Sequence, residues 1–332
     1  MIKKLIALLF IIALALLLDF YFFLQKPLGL DQSISYDFKP GSSVSALARD
    51  LEQQQIISNR LYFSILTRLT GSAKQLRAGE YELTPAMNVW QLHELLKKGK
   101  VRLYSLTLVE GFNFTQMMQA VQASDYLHHQ LKGLSDQQIM QKIGYPDEHP
   151  EGRFFPDTYH FPRGSSDIQL LRQAYAEMQK RLTKAWQQRD VGLPVKNAYE
   201  LLTLASIVEK ESAVAEERGI IAGVFVNRLR RGMRLQTDPT VIYGMGKDYD
   251  GDIRFRDLRR DTAYNTYTRH GLPPTPIAMP GQGALDAASQ PEDTDYIYFV
   301  ATSDQSGRHI FSTTLTEHEQ AVDIHQRKIK RN

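Results

Sequence analysis

The clearest chemical signal in the chain is an acidic pair that closes an apolar run. Leu201 to Gly244 reads LLTLASIVEKESAVAEERGIIAGVFVNRLRRGMRLQTDPTVIYG. An apolar helix ends on Glu209 and Glu211, and a polar turn at Gln236, Thr237 and Asp238 follows that can face it. At about 100° per residue, with Leu204 as reference, Leu201, Ile207 and Val208 fall within about 60° of it, and Glu211 lands in the middle of that stripe. Glu209 shares a less apolar side with Leu202, Ala205 and Ser206 and reads as a supporting or solvated residue. A carboxyl group pressed against aliphatic side chains is costly to ionise. Its pKa rises and it stays protonated near neutral pH, as a general acid must. The plainer alternative is a helix-end glutamate turned to water.

The flanking residues must position this acid. Glu216 to Arg231 predicts a second helix, with Ile220, Ile221, Val224 and Phe225 inside and Arg228, Arg230 and Arg231 in its last turns, where cations suit the macrodipole. Gly232 ends it. After a short strand-like stretch from Met233 to Gln236, Asp238 before Pro239 reads as the N-cap and first-turn proline of a short helix through Tyr243. On local chemistry alone, Thr237 and Asp238 are equally caps or ligands.

The ordered motifs LASIVEKE, VFVNRL, GMRLQTDPTVIYG, AYNTYT and GLPP, with EGRFFPDTY at Glu151 to Tyr159, closely resemble the endolytic murein transglycosylase family. These are the YceG-like, membrane-anchored lytic transglycosylases of bacteria. The resemblance spans nearly the whole chain, and the essential second glutamate of the family's EKE triplet matches Glu211. It implies cleavage of the β-1,4 bond between N-acetylmuramic acid and N-acetylglucosamine without added water, giving a 1,6-anhydro end. One carboxyl serves twice, because donating a proton turns it into the base needed next. A hydrolytic glycosidase normally uses two carboxylates, and Asp238 is the nearest candidate for the second, so a hydrolysing muramidase is the alternative enzyme.

The resemblance, rather than spacing, also gives Tyr264, Asn265, Thr266 and Tyr267 a glycan-facing role beside Gln236, Thr237 and Asp238. Aromatic faces can stack on pyranose rings, and amides and hydroxyls can bond acetamido groups. Tyr, Pro and Gly equally make packed loops. Phe154, Phe155, Pro156 and Asp157 read as scaffold, with a cleft wall as the other option.

The N terminus sets the expected compartment. Lys3 and Lys4 precede Leu5 to Leu24, apolar apart from Asp19, and these twenty positions span roughly 30 Å, a bilayer core. No small-residue cleavage site follows, which favours an uncleaved anchor over a signal peptide. The lysines then stay in the cytoplasm and the body lies outside the cytoplasmic (inner) membrane. The expected organisation is a cytoplasmic tip at 1–4, an anchor at 5–24, a linker at 25–35, a small module at 36–105 and a catalytic domain at 106–332. The fold class is α+β, with the acid on a helix.

The small module opens two helices alike, Pro40-Gly41-Ser42-Ser43-Val44 and Pro85-Ala86-Met87-Asn88-Val89, with Ser43 and Asn88 as caps. Leu61, Ile65, Leu66 and Leu69 mark another helix, and Glu80 to Leu83 a strand. The family calls this region LysM-like, a fold associated with glycans containing N-acetylglucosamine; on residues alone it is equally a spacer. Phe114, Met117, Met118 and Val121 mark a helix whose methionines fill a core. Ala174 to Gln187 marks a further helix. Tyr296 to Ala301 and His309 to Ser312 read as a strand pair, and Thr316 with Glu319 as a capping box for the last helix.

With 332 residues, 42% hydrophobic, the chain can bury more than one core. A net charge of +3 gives no argument for nucleic acid, and the basic tail at Arg327, Lys328, Lys330 and Arg331 reads as a solvated helix end. The absence of cysteine permits an oxidising compartment. The nine histidines are scattered, with no ligand spacing, nucleophile elbow, P-loop or dinucleotide glycine pattern, so neither metal nor cofactor is expected. The partners implied are peptidoglycan strands, the bilayer and, by resemblance, peptidoglycan synthases beside which glycan elongation ends. An anchored glycan-binding scaffold that cuts nothing is the reading from a different class.

Overall fold

The computed structural model describes residues 2–212, 214–304 and 306–327. Lys328, Lys330 and Arg331 of the basic tail, and the side chain of Arg327, lie outside the described residues. Helices take 50% and strands 11% of the chain, so helices rather than a large sheet build its cores. The chain divides into two compact units. One is Met1–Tyr104 with His160–Gly164; the other is Ser105–Tyr159 with Ser165–Asn332. The division passes within strands β3 (Leu103–Thr107) and β5 (Thr158–Pro162). The expected boundaries left residues 160–164 in the larger domain. They belong to the first unit, where Arg163 Nε donates to Glu80 Oε2 at 2.8 Å, a tertiary contact that no local pattern announces.

The first unit begins with α1 (Ile2–Gln25), whose mean hydropathy reaches 2.7 over a window with none of its residues buried. Strands β1 (Ile34–Phe38) and β2 (Gly79–Leu83) pair antiparallel, Ile34 opposite Leu83 and Phe38 opposite Gly79. Their alternation turns Tyr36, Phe38, Tyr81 and Leu83 inward. Helices α2 (Val44–Gln53), α3 (Arg60–Leu69) and α4 (Val89–Lys98) close the core with Leu47, Leu51, Phe63, Leu92 and Leu96. Ser43 and Asn88 are the N-caps, Asn88 completing a capping box with Gln91.

Leu28, within the segment read as a linker, is buried in this core, and Phe23 of α1 joins it. The helix expected from Leu61, Ile65, Leu66 and Leu69 is α3. On α3 only Phe63, Leu66 and Thr67 face inward, while Leu61, Ile65 and Leu69 are exposed. The aromatic ring of Phe63, which the leucine pattern passed over, sets the buried face.

The second unit gathers around α8 (Ala198–Glu211), which is buried on every side from Leu201 to Val208. A helix apolar all round belongs in the interior. Around it pack α7 (Asp167–Gln188), α9 (Arg218–Arg230), α10 (Asp238–Met245) and α12 (Gln282–Ser289). The small residues Ala284, Ala287 and Ala288 let α12 approach closely. Gly223 in α9 is needed for contact, since an added Cβ would sit 2.6 Å from the Glu292 carbonyl oxygen.

Farther out lie α5 (Phe114–Gln122), α6 (Asp136–Ile143), the short parallel pair β4 (Leu127–His128) and β6 (Ser165–Ser166), and α11 (Phe255–Arg259). Strands β7 (Tyr298–Ala301) and β8 (His309–Ser312) pair antiparallel, and α13 (Leu315–Val322) follows. The last helix is capped by Thr314 and Glu317, two residues before the expected box, because Thr314 holds the extended backbone that a cap needs. Helix α7 likewise starts earlier than expected, at Asp167, a buried carboxylate that accepts the N–H groups of Gln130 and Leu131.

Candidate active site

Glu211 is the last residue of α8, partly buried where the innermost helix of its unit runs out. Asn197 caps the start of this helix by accepting the Glu200 N–H at 2.9 Å. Ser206 fixes the middle, its Oγ accepting the Ile277 N–H at 3.0 Å. Since the helix is enclosed on all sides, the distinction drawn between its faces is weaker than its periodicity predicts. Glu209 also turns inward, its side chain 6% exposed and 3.8 Å from Arg218 Nη2. Its Oε2 accepts the Gly281 N–H at 2.9 Å, tying α8 to the start of α12. It therefore has a supporting place, and solvation is excluded.

Opposite Glu211 stands the turn between α9 and α10. Arg228, expected in the last turns of its helix where cations suit the macrodipole, is buried. Its Nε donates to the Ile297 carbonyl at 2.6 Å and its Nη1 to the Leu235 carbonyl at 2.8 Å, while the guanidinium lies 5.1 Å from the centre of the Tyr298 ring. Arg228 Nη1 also reaches Gln236 Oε1 at 3.3 Å. Met233 to Gln236 forms no strand. Gln236 is exposed with φ of +51°, a left-handed conformation that costs a non-glycine residue of order 1 kcal/mol. Arg228 and the Thr266 carbonyl, which accepts the Gln236 N–H at 3.2 Å, hold it there.

That kink points Thr237 at the acid. Thr237 sits at the N-cap position of α10, yet its hydroxyl makes no cap bond and donates to Glu211 Oε1 instead. Asp238 is the first residue inside the helix rather than its cap, and its Oδ1 accepts the Tyr267 phenol at 2.6 Å. Neither side chain caps the helix; each bonds a residue beside it instead.

The 264–267 segment divides. Thr266 is buried, its Oγ1 accepting the Thr237 N–H at 3.1 Å and lying 2.8 Å from Thr240 Oγ1. Tyr267 joins Asp238. Asn265 turns inward: its amide donates to the carbonyls of Asp257, Leu258 and Arg260, and its Oδ1 accepts the Tyr267 N–H at 2.8 Å. Tyr264 packs edge-on against Tyr243, ring centres 4.8 Å apart, with its hydroxyl 2.9 Å from Thr275 Oγ1. Gln236, Thr237, Asp238, Thr266 and Tyr267 thus gather around Glu211, while Tyr264 and Asn265 brace the loop. Phe154 and Phe155 are buried scaffold.

Burial holds the Glu211 carboxyl above its ordinary range. The Thr237 hydroxyl opposes this, the Asp238 charge adds to it, and His309 and Arg228 oppose it. His309 is fixed by Glu217, Nδ1 to Oε2 at 2.8 Å. The balance favours the protonated carboxyl more than at an exposed glutamate, while the Thr237 hydroxyl bonded to it favours the anion. No cluster of His, Asp and Glu able to hold a metal occurs among the described residues.

The YceG-like family matches residues 36–324. The chain belongs to that family. This YceG-like chain is 32% identical over 319 residues to the endolytic murein transglycosylase of Bacillus subtilis (strain 168), covering 90% of the chain and 87% of the relative. It is 29% identical over 326 residues to the endolytic murein transglycosylase of Streptococcus pneumoniae serotype 2 strain D39, covering 86% of the chain and 57% of that longer relative. A 2.6 Å crystal structure of a yceG-like protein from Listeria monocytogenes superposes with a TM-score of 0.55 at 31% identity, covering 87% of this chain and 99% of that one.

Three features of this YceG-like site were missed in the sequence. Arg228 follows Ile221 and Val224 at i+7 and i+4, and that helical phase is the signal that could have placed it inside. The His309 to Glu217 pair joins residues far apart in sequence and leaves no local trace. Glu151, quoted only within its motif, is 3% exposed. Its carboxylate accepts the Phe114 N–H at 3.0 Å and the Tyr243 hydroxyl at 2.9 Å, linking α5 to α10.

Two outcomes follow at these residues. Thr237→Val removes the hydroxyl but keeps the shape. It is expected to cut kcat about tenfold or more, the worth of one hydrogen bond to a charged group, and to shift the alkaline limb of the rate profile to higher pH. An unmoved limb would show that Thr237 does not touch the working carboxylate.

Burial pushes Glu151 from 4.5 to about 7, against the bonds from Phe114 and Tyr243. A raised folded-state pKa gives stability that is complete below 4.5 and lost as pH rises through 7. Urea titrations should show wild-type protein losing of the order of 3 kcal/mol more than Glu151→Gln across that window. Parallel losses would contradict the burial of this carboxyl.

Proposed function

We propose that this YceG-like protein is a peptidoglycan lyase, held in the cytoplasmic membrane by residues 5–24, that cuts within glycan strands at the bond between N-acetylmuramic acid and N-acetylglucosamine and leaves 1,6-anhydro ends. The relatives named endolytic murein transglycosylases support the enzyme class. The observation that carries the chemistry is Glu211, a carboxyl whose pKa burial raises and whose Oε1 accepts the Thr237 hydroxyl. Neutral Glu211 protonates the glycosidic oxygen as its bond to C1 breaks. The carboxylate so formed takes the proton of the muramic acid 6-hydroxyl while that oxygen closes on C1. The proton is returned and no water is consumed.

Around this step Arg228 lies in the field of the transient Glu211 anion, Tyr267 and Gln236 offer groups to the sugar, and buried Thr266 holds the turn. With Lys3 and Lys4 in the cytoplasm, the rest of the chain faces the cell wall. The first unit is then the LysM-like module, and the place of action is beside peptidoglycan synthases, where elongation of a strand ends.

Asp238 supports a second reading, since its charge acts on Glu211 and hydrolases use two carboxylates. Mass spectrometry of products from uncrosslinked strands separates the two. Anhydro-ended fragments are expected. Reducing ends would replace the lyase with a hydrolase, and binding without release would leave a scaffold.

A further inference from the structure

We propose that helix α3 lies in the outer interfacial layer of the membrane, with Leu61, Ile65 and Leu69 among the lipid acyl chains. The proposal rests on reading residues 5–24 as an anchor. Leu61, Ile65 and Leu69 recur every fourth position and form one stripe, and they are 66%, 42% and 74% exposed. The opposite side of the same helix gives Phe63 and Leu66 to the core of the first unit. Three large aliphatic groups in a row on the outside call for a covering partner, whereas scattered ones do not.

The contacts of α3 with α1 identify that partner as lipid. Tyr62 donates its hydroxyl to Asp19 Oδ2 at 2.6 Å. Its ring meets those of Phe20 and Phe23 edge-on, with both pairs of centres 5.4 Å apart. A second tie joins Asn88 Nδ2 of α4 to Gln25 Oε1 at 3.1 Å, so α1 enters the unit in a fixed direction. Asp19 precedes the end of the apolar run by five residues, which at 1.5 Å per residue is about 8 Å inside its outer boundary. An interfacial helix sinks its apolar face by about 5–10 Å, the same depth. Phe20, Tyr21, Phe22, Phe23 and Tyr62 then form the aromatic belt found at this level. Exposed Arg60 and Arg68 flank the stripe with long stems that can carry their charges out to anionic headgroups.

The natural absence of cysteine allows single labels in the whole chain without other changes. Leu61→Cys, Ile65→Cys and Leu69→Cys would each carry an environment-sensitive fluorophore. The protein would be reconstituted in phosphatidylethanolamine and phosphatidylglycerol vesicles bearing nitroxide quenchers at shallow or deep acyl positions. Ile12→Cys in α1 reports the anchor, and Val191→Cys, wholly exposed, reports water. Circular dichroism checks that each variant keeps its fold.

Blue-shifted emission and strong shallow quenching at all three α3 positions, with none at residue 191, is the expected result. If residue 12 is quenched by deep nitroxides while the α3 labels stay in water, the proposal fails and the anchor reading stands. If residue 12 is not quenched, the anchor reading fails and takes the proposal with it. Disulfide-linked Ile65→Cys dimers without quenching would mean that a second copy covers the stripe, which also overturns it.

Discussion

Glu211→Gln should lower the release of anhydro-ended glycans from purified sacculi by about 10² to 10⁴-fold while leaving binding to them intact. The amide keeps the shape and can still accept the Thr237 hydroxyl, so the loss isolates the proton. The wild-type rate should fall as pH rises through the raised pKa of Glu211, because only the neutral form can donate. Stability moves the other way in the variant. A raised folded-state pKa means that the native protein loses stability as pH climbs past it, and glutamine carries no such cost. Above that pH the inactive variant should resist urea better than wild type, the usual exchange of stability for activity. Full activity in Glu211→Gln would remove the catalytic assignment, whatever else the site contains.

Arg228→Met should be the most damaging change away from the acid. Methionine replaces the apolar stem but leaves the carbonyls of Ile297 and Leu235 without their donor. Each such loss costs about 1–3 kcal/mol, so a total near 3 kcal/mol or more is expected in chemical denaturation. The turn that sets Thr237 against Glu211 loses its anchor as well, and activity should drop by about 10-fold or more even where the variant is folded. Arg228→Lys separates charge from geometry. It keeps the cation near Glu211 but cannot reproduce the fork that holds two carbonyls and Gln236. A lysine variant with normal activity would show that charge alone matters.

The place of Glu211 at the end of an apolar helix was legible because that is a one-dimensional pattern. Periodicity favoured Glu211 over Glu209, but the helix is buried on every side and Glu209 turns inward too, so the two faces differ less than the pattern implied. The caps at Ser43 and Asn88 and the strand pair near the C terminus were legible for the same local reason. Contacts between distant segments were not. Nothing near Thr237 tells that its hydroxyl prefers Glu211 to the helix start, and nothing in AYNTYT tells that Asn265 folds back on its own loop while Tyr267 reaches Asp238. The leucines of α3 marked the helix but not its buried face, because aliphatic periodicity shows an apolar face without saying which environment receives it.

Housing the acid on α8 has a further consequence. Amides from Leu204 to Val208 sit in the most enclosed part of their unit and should exchange with deuterium only when the whole unit opens. Thr237 and Tyr267 ride on an irregular turn and loop, where local opening takes far less energy. If Glu211 is the donor proposed above, changes in the turn can alter the groups around it without touching the helix, while Glu211 itself stays tied to the survival of the fold.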